Sequence, residues 1–186
     1  KCGMYLSNTI DNFRSFLNKD KTRTDVNIKR VIENAIYFYK TQFEKEKIDL
    51  VLKIKDCTID TYENELLQCI INIINNSVDA LNNLKNIKKC IIINVYEEEN
   101  DCIISIKDNA QGIKEENLLK IFEPYFTTKH KAQGTGIGLY MSHEIITKHL
   151  AGKIEVENVN FKYLNEESKG ACFKITLPKN VKDILK

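Results

Sequence analysis

The sequence predicts an α/β (α+β) chain, and three observations carry that expectation. Apolar residues recur at helical spacing in separate stretches, as in Ile28, Val31, Ile32, Ala35, Tyr39 and Phe43. Short runs rich in β-branched residues, such as 90–96 and 102–107, lie between and after them. Between the two kinds of segment stands Gly134-Thr135-Gly136-Ile137-Gly138-Leu139, with glycine at every second position. Such a run has no side chains to bury and loses much backbone entropy on ordering, so it reads as a loop. Bare N–H groups where a glycine loop opens a helix suit an anion such as phosphate. A plain flexible turn before a helix is the alternative reading.

Composition narrows the function classes. The 186 residues suit one domain with an appendage, and 42% hydrophobic with 29% charged residues is ordinary for a globular protein. A net charge of +2 gives no reason to expect nucleic acid or a membrane surface as partner. No run reaches the roughly 18 apolar residues of a membrane span. The six cysteines form no CxxC pair and mostly sit inside apolar runs. They read as small buried hydrophobes in a reducing, cytoplasmic setting. The chain opens on Lys1 and not on methionine, so it reads as a fragment of a parent protein that has room for a membrane anchor upstream.

Taken in order, Leu6, Ile10, Phe13 and Leu17 mark one face of a helix over 4–18, and 19–24 is a charged linker. The second helix carries the Ile28 to Phe43 stripe. Residues 49–54 and 57–59 read as short strands. A helix over 62–84 places Leu66, Ile70, Ile73, Ile74, Ser77, Leu81 and Leu84 on one side. Its other side shows Glu65, Gln68, Asn72, Asn76, Asp79 and Asn83. That stripe reads either as a solvated face or, because asparagine is a poor helix former, as a functional one. Strands 90–96 and 102–107 form a hairpin around an acidic turn of Glu97, Glu98, Glu99 and Asn100. Asp108 ends the second strand beside a glycine turn, as an ordinary turn residue or as a fixed carboxylate able to accept from a ligand amine. After the glycine loop, Leu139, Ile145, Ile146 and Leu150 mark a helix, and 153–159 and 171–177 are strands around a hairpin-like excursion.

Four stretches together resemble the ATP-binding domain of sensor histidine kinases, within the wider group that includes gyrase and heat-shock chaperones. The asparagine box is Asn72-Ile73-Ile74-Asn75-Asn76-Ser77-Val78-Asp79-Ala80, the first glycine box runs over 108–112, the phenylalanine box over 122–129 and the second glycine box over 134–139. The resemblance covers about residues 25–178. It implies a two-layer sandwich of three main helices against a mixed sheet, with 1–24 as the end of a dimerisation and phosphoacceptor helix plus linker, and 179–186 as a tail.

The resemblance also implies site residues. ATP and Mg²⁺ are the implied cofactors, with Asn76 the metal ligand and Asn72 and Lys129 the catalytic positions. Asp108 would accept from the adenine amine, and Gly112 would let the backbone approach the base. Gly134, Gly136 and Gly138 would wrap the phosphates, while Lys129 would reach them from a lid over 127–133. Asp79, Ala80, Ile113, Phe126, Thr127, Thr128, Thr135, Ile137 and Leu139 complete the implied nucleotide contacts. The implied partners are the phosphoacceptor histidine domain of the same parent, a downstream response regulator and a second copy in a homodimer.

Two departures stand out. Ala110 occupies a usual glycine position, and alanine disfavours positive φ. None of His130, His143 and His149 stands where the acceptor histidine belongs, so the implied activity is transfer of the γ-phosphoryl of ATP to a histidine outside this chain. The alternatives are a gyrase- or chaperone-type ATPase, for which Asn72 lacks the needed carboxylate, a nucleotide-insensitive interaction domain, and a serine kinase of related fold.

Overall fold

The computed structural model describes residues 22–129 and 134–179. The helix and linker expected before residue 22, His130, most of the expected lid and the tail from 180 lie outside the described residues. Strand β1 (Thr24–Asn27) leads into helix α1 (Ile28–Glu46), then strands β2 (Ile48–Ile54) and β3 (Thr58–Thr61). Helix α2 (Glu63–Asn82) precedes the hairpin of β4 (Lys89–Glu98) and β5 (Asp101–Asp108). The short helix α3 (Glu115–Leu118) and helix α4 (Gly138–Glu144) follow, α4 running on into a π-helical turn over Ile145–His149. The long hairpin of β6 (Lys153–Tyr163) and β7 (Glu166–Pro178) closes the fold.

Five strands form one mixed sheet in the order β2-β4-β5-β7-β6, with β2 and β4 parallel and the other pairs antiparallel. One face of it packs on α1, α2 and α4 with its π turn, as expected. Val31 and Ile32 of α1, Leu66, Ile70, Ile73 and Ile74 of α2, and Ile145 and Ile146 join Ile91, Ile93, Ile104, Ile106 and Ile175 in one core. Side chains on one strand face alternate with period two and those on a helix with 3.6, so the apolar stripes of both element types meet there.

Several boundaries differ from the sequence reading. Thr24–Asn27, expected as linker and helix start, is a strand paired antiparallel with Thr58–Thr61. Its last residue, Asn27, caps α1 by accepting from Arg30 N at 3.1 Å. The acidic turn shrinks to Glu99-Asn100, since Glu97 and Glu98 pair with Cys102 and Asp101 in the ladder. The excursion between the last two strands is itself ladder up to Tyr163↔Glu166, turned by Leu164 and Asn165 at φ 49° and 66°. Positive φ at both central residues matches the twist of a tight hairpin. Cys57, Cys69, Cys90 and Cys102 are buried, and burial pushes their thiols up, that of Cys90 to about 11, which suits small core hydrophobes.

Candidate functional site

The site is organised by α2. Of its asparagine stripe only Asn83, at the end, is exposed; Glu65 is buried, and Gln68, Asn72, Asn76 and Asp79 are half-buried. Asn72 donates from Nδ2 to Gly138 O at 3.3 Å and to Ser142 Oγ at 3.2 Å, tying α2 to the start of α4. Glu65, on the same stripe, is only 2% exposed because the π turn covers it, and His149 Nδ1 lies 3.1 Å from its Oε1. The periodicity is as read; the covering element is what sequence could not supply.

Asn76 and Ser77 are neighbours on α2 and therefore point about 100° apart, toward two different walls. Toward one wall, Ser77 donates to Asp108 Oδ2 at 3.0 Å. Asp108 ends β5 and is 3% exposed; its Oδ1 accepts from Ala110 N at 2.9 Å and from Ala171 N at 3.3 Å. Burial pushes this carboxyl above its ordinary range, while the Ala110 and Ala171 amides and the Ser77 hydroxyl pull it back. Asp108 is thus a fixed, partly desolvated acceptor and not a free turn residue.

The turn after it resolves the question posed by Ala110. Positive φ falls on Gln111 at 68° and Gly112 at 79°, so Ala110 bears no strain of that kind. Gln111 N donates to Lys169 O at 2.9 Å, and Asn109 clasps the start of β4, accepting from Cys90 N and donating to Lys88 O, both at 2.8 Å. Ile113 is half-buried against the core.

On the other wall, Lys129 Nζ lies 2.6 Å from Asp79 Oδ2 and 3.3 Å from Asn76 Oδ1. Two oxygens of α2 therefore converge on one cation. That donor chemistry fits Mg²⁺, a hard ion that takes few protein oxygens and fills its shell with phosphates and water. Among the described residues, no three His, Cys, Asp or Glu side chains gather into a metal cage. Lys129 is held from behind, where its own N–H donates to Thr127 Oγ1 at 3.1 Å. Phe126 packs on the core, Thr128 is exposed and Ala80 is half-buried on α2.

The glycine loop is seated on this segment. A Cβ at Gly136, whose φ is +66°, would lie 2.4 Å from the carbonyl carbon of Tyr125, and one at Gly134 would lie 2.7 Å from Thr127 Oγ1. At Gly138 the nearest atoms beyond the local chain are those of Asn72 at 3.8 Å, ordinary contact distance. Packing thus accounts for two of the three glycines. Thr135 Oγ1 accepts from Ile137 N at 3.4 Å, Ile137 is half-buried just before α4, and Leu139 packs on the core. The His143 ring lies 5.4 Å from that of Phe122, tilted 40° to it.

The structure brings together Asn72 with Gly138, and Asn76 with Asp79 and Lys129. Among the described residues no hydrogen bond joins these to the Asp108 turn, and α2 is the link. Sequence reading passed over Ser77 as one more core position, and over Asn158, Ser142 and Gly170. Ser77 had a visible signal, a lone hydroxyl in an otherwise apolar stripe.

Comparison with known proteins agrees with this geometry. Residues 61–181 match the family described as histidine kinase-, DNA gyrase B-, and HSP90-like ATPase. Sporulation kinase E of Bacillus subtilis is 32% identical over 153 residues, which cover 81% of this chain and 19% of that protein. Sporulation kinase A of the same organism is 34% identical over 142 residues, 76% of this chain and 20% of that protein. The chain therefore spans about a fifth of the length of these curated relatives. Among solved structures, the nucleotide-free catalytic domain of histidine kinase ThkA superposes with a TM-score of 0.70 at 26% identity, covering 84% of this chain and 95% of that one. ThkA in complex with the response regulator TrrA matches at 23% identity and a TM-score of 0.70, covering 97% of this chain and 50% of that one.

Proposed function

We propose, from the fact that the chain belongs to the histidine kinase-, DNA gyrase B- and HSP90-like ATPase family, that its two walls hold the two ends of ATP for phosphoryl transfer to a histidine. The chain is a histidine-kinase type of ATP-binding domain. One observation carries the assignment of its ends: adjacent residues of α2 serve both walls, Ser77 the buried Asp108 acceptor and Asn76 the Lys129 cation.

Asp108 reads adenine by accepting from its amine; guanine presents a carbonyl there, and two facing acceptors leave a buried group unpaired. Gly112, Ile113 and Ala80 line the base side. Lys129, with Phe126, Thr127 and Thr128 behind it, reaches the phosphates, and the loop over 134–139 contributes backbone N–H groups to them. Asn76, with Asp79 beside it, would hold Mg²⁺, which neutralises phosphate charge when bound. Asn72 stands where a hydrolytic relative needs a carboxylate; its amide donates to Gly138 O and Ser142 Oγ, so it orients the α4 end and activates no water. That observation disfavours the ATPase reading. The parent protein would be a cytoplasmic-facing homodimer passing the phosphoryl group to a response regulator. No described helix is long and apolar enough to cross a membrane.

The test supplies a phosphoacceptor hairpin carrying histidine as a separate molecule. Transfer rests on positioning and charge neutralisation, so the ATP-binding half keeps its share of the machinery, and detachment costs effective concentration. Phosphorylation is expected to rise with added acceptor and to give an acid-labile, base-stable product, with slow ADP release when acceptor is omitted. Brisk Mg²⁺-dependent hydrolysis without acceptor would overturn the kinase reading, whereas radiolabel on the chain itself that is lost in His143→Ala would overturn only the placing of the acceptor histidine outside this chain.

Asp108 adds a pH signature. Its carboxyl is raised in the fold, so between the ordinary Asp value and the folded value the native chain binds more protons than the unfolded one. Stability attributable to this group therefore rises as pH falls through that window. ATP affinity moves the other way, because the protonated carboxyl no longer accepts from the amine. Denaturation and calorimetry across pH 4 to 7, each referred to Asp108→Asn, should show these opposite trends; parallel trends would refute the role.

A further inference from the structure

We infer that Asn158 is a positioning residue for base recognition, holding the backbone at Ile113 while its cross-strand partner Ala171 holds Asp108. This rests on the ATP reading above. Asn158 sits on β6 directly opposite Ala171 of β7. Its Oδ1 accepts from Ile113 N at 2.7 Å, and its Nδ2 donates to Ile113 O at 2.7 Å and to Glu115 Oε1 at 2.9 Å. A side-chain amide is the group that offers an acceptor and donors side by side, so it pairs with both backbone groups of one residue, Ile113, as a neighbouring strand would. Ala171 N meanwhile donates to Asp108 Oδ1 at 3.3 Å. One cross-strand pair thus grips both ends of the turn from Asp108 to Ile113, and the spacing between the acceptor carboxylate and the opposing backbone is set from the sheet.

Gly112 gains a second reason from the same contact. A Cβ there would lie 2.3 Å from Asn158 Oδ1 and 3.0 Å from its Cγ. The glycine is required by the clamp, in addition to its φ of +79°. Asn158 touches neither reacting atoms nor the Lys129 wall in any described contact, so its effect should appear in base affinity and leave phosphate-end chemistry alone.

The experiment compares the parent with Asn158→Ala and Asn158→Asp by calorimetry with ATP and GTP, and by amide exchange at Ile113. Asn158→Ala should weaken ATP binding about tenfold, bring ATP and GTP affinities closer, and speed Ile113 exchange, because a held donor becomes free. Asn158→Asp keeps the acceptor but sets a carboxylate against Ile113 O and Glu115. It should be at least as weak as the alanine variant, and Glu115→Gln added to it should restore part of the affinity by supplying a donor. A purely structural role would not be rescued in this way. Gly112→Ala should cost less affinity in the Asn158→Ala background than in the parent, since the clash with Oδ1 has gone. If Asn158→Ala does not fold, the Asn158→Asp and Glu115→Gln pair decides alone. A parent that binds ATP with variants matching it in affinity and in ATP-to-GTP preference would overturn the proposal alone. A folded parent that binds no adenine nucleotide would instead remove the reading on which it rests.

Discussion

Asp108→Asn is expected to weaken ATP binding by about 5- to 150-fold, the equivalent of about 1–3 kcal/mol for a buried donor–acceptor mismatch. The wild-type carboxylate distributes its acceptor capacity with little to spare. Oδ1 takes Ala110 N and Ala171 N, and Oδ2 takes Ser77 Oγ, leaving the remaining lone pair of Oδ2 for a ligand amine. In the asparagine variant the carbonyl oxygen stays with the two backbone amides, because the alternative would leave both unpaired. The NH₂ then faces the ligand. The Ser77 hydroxyl can rotate to accept from it, so the fold survives, but the adenine amine meets a donor. Calorimetry with a folded variant tests this, and equal affinity for ATP in variant and parent would refute the role of Asp108.

Gly170→Ala is expected to destabilise the domain by about 3 kcal/mol, at the upper end of the usual overpacking cost. Gly170 lies on β7 opposite Val159. A Cβ there would sit 1.7 Å from the carbonyl oxygen of Asp108 and 3.0 Å from the Cα of Asn109. Both obstacles are backbone, so no rotamer change relieves them. Either β7 parts from β5 or the Asp108 turn is displaced, and the second route also disturbs the Asp108 carboxylate. Urea denaturation should show a lower midpoint with an unchanged slope, together with weakened ATP binding. A variant as stable as the parent would mean that the approach of β7 to the Asp108 turn is looser than the structure shows.

Much of the fold was legible because it rests on periodicity. The apolar stripes of α1 and α2 and the β-branched runs of β4 and β5 are local patterns, and local patterns survive in one dimension. β1 was missed because four residues, Thr24–Asn27, are too short to show a period, and their strand state depends on pairing with Thr58–Thr61 far along the chain. The last hairpin was read too short for a related reason. Glu166, Glu167 and Lys169 are polar, and only the ladder with β6 makes that segment extended.

The site divides along the same line. By itself the sequence determined which chemistry is available: an aspartate at a strand end, oxygens at helical spacing in Asn72, Asn76 and Asp79, a lysine after the aromatic box, and a glycine loop opening a helix. Tertiary structure decided how those groups are spent. It turned Asn76 and Asp79 toward Lys129 and used Asn72 as a strut to α4. It set Gly136 against the Tyr125 backbone, and it brought in Asn158 and Gly170 from β6 and β7, whose positions in the chain say nothing of the Asp108 turn. Helical and strand periods are written residue by residue, whereas contacts between residues tens of positions apart follow from sheet order and register. Those are set by burial of the whole core and by no local stretch of sequence.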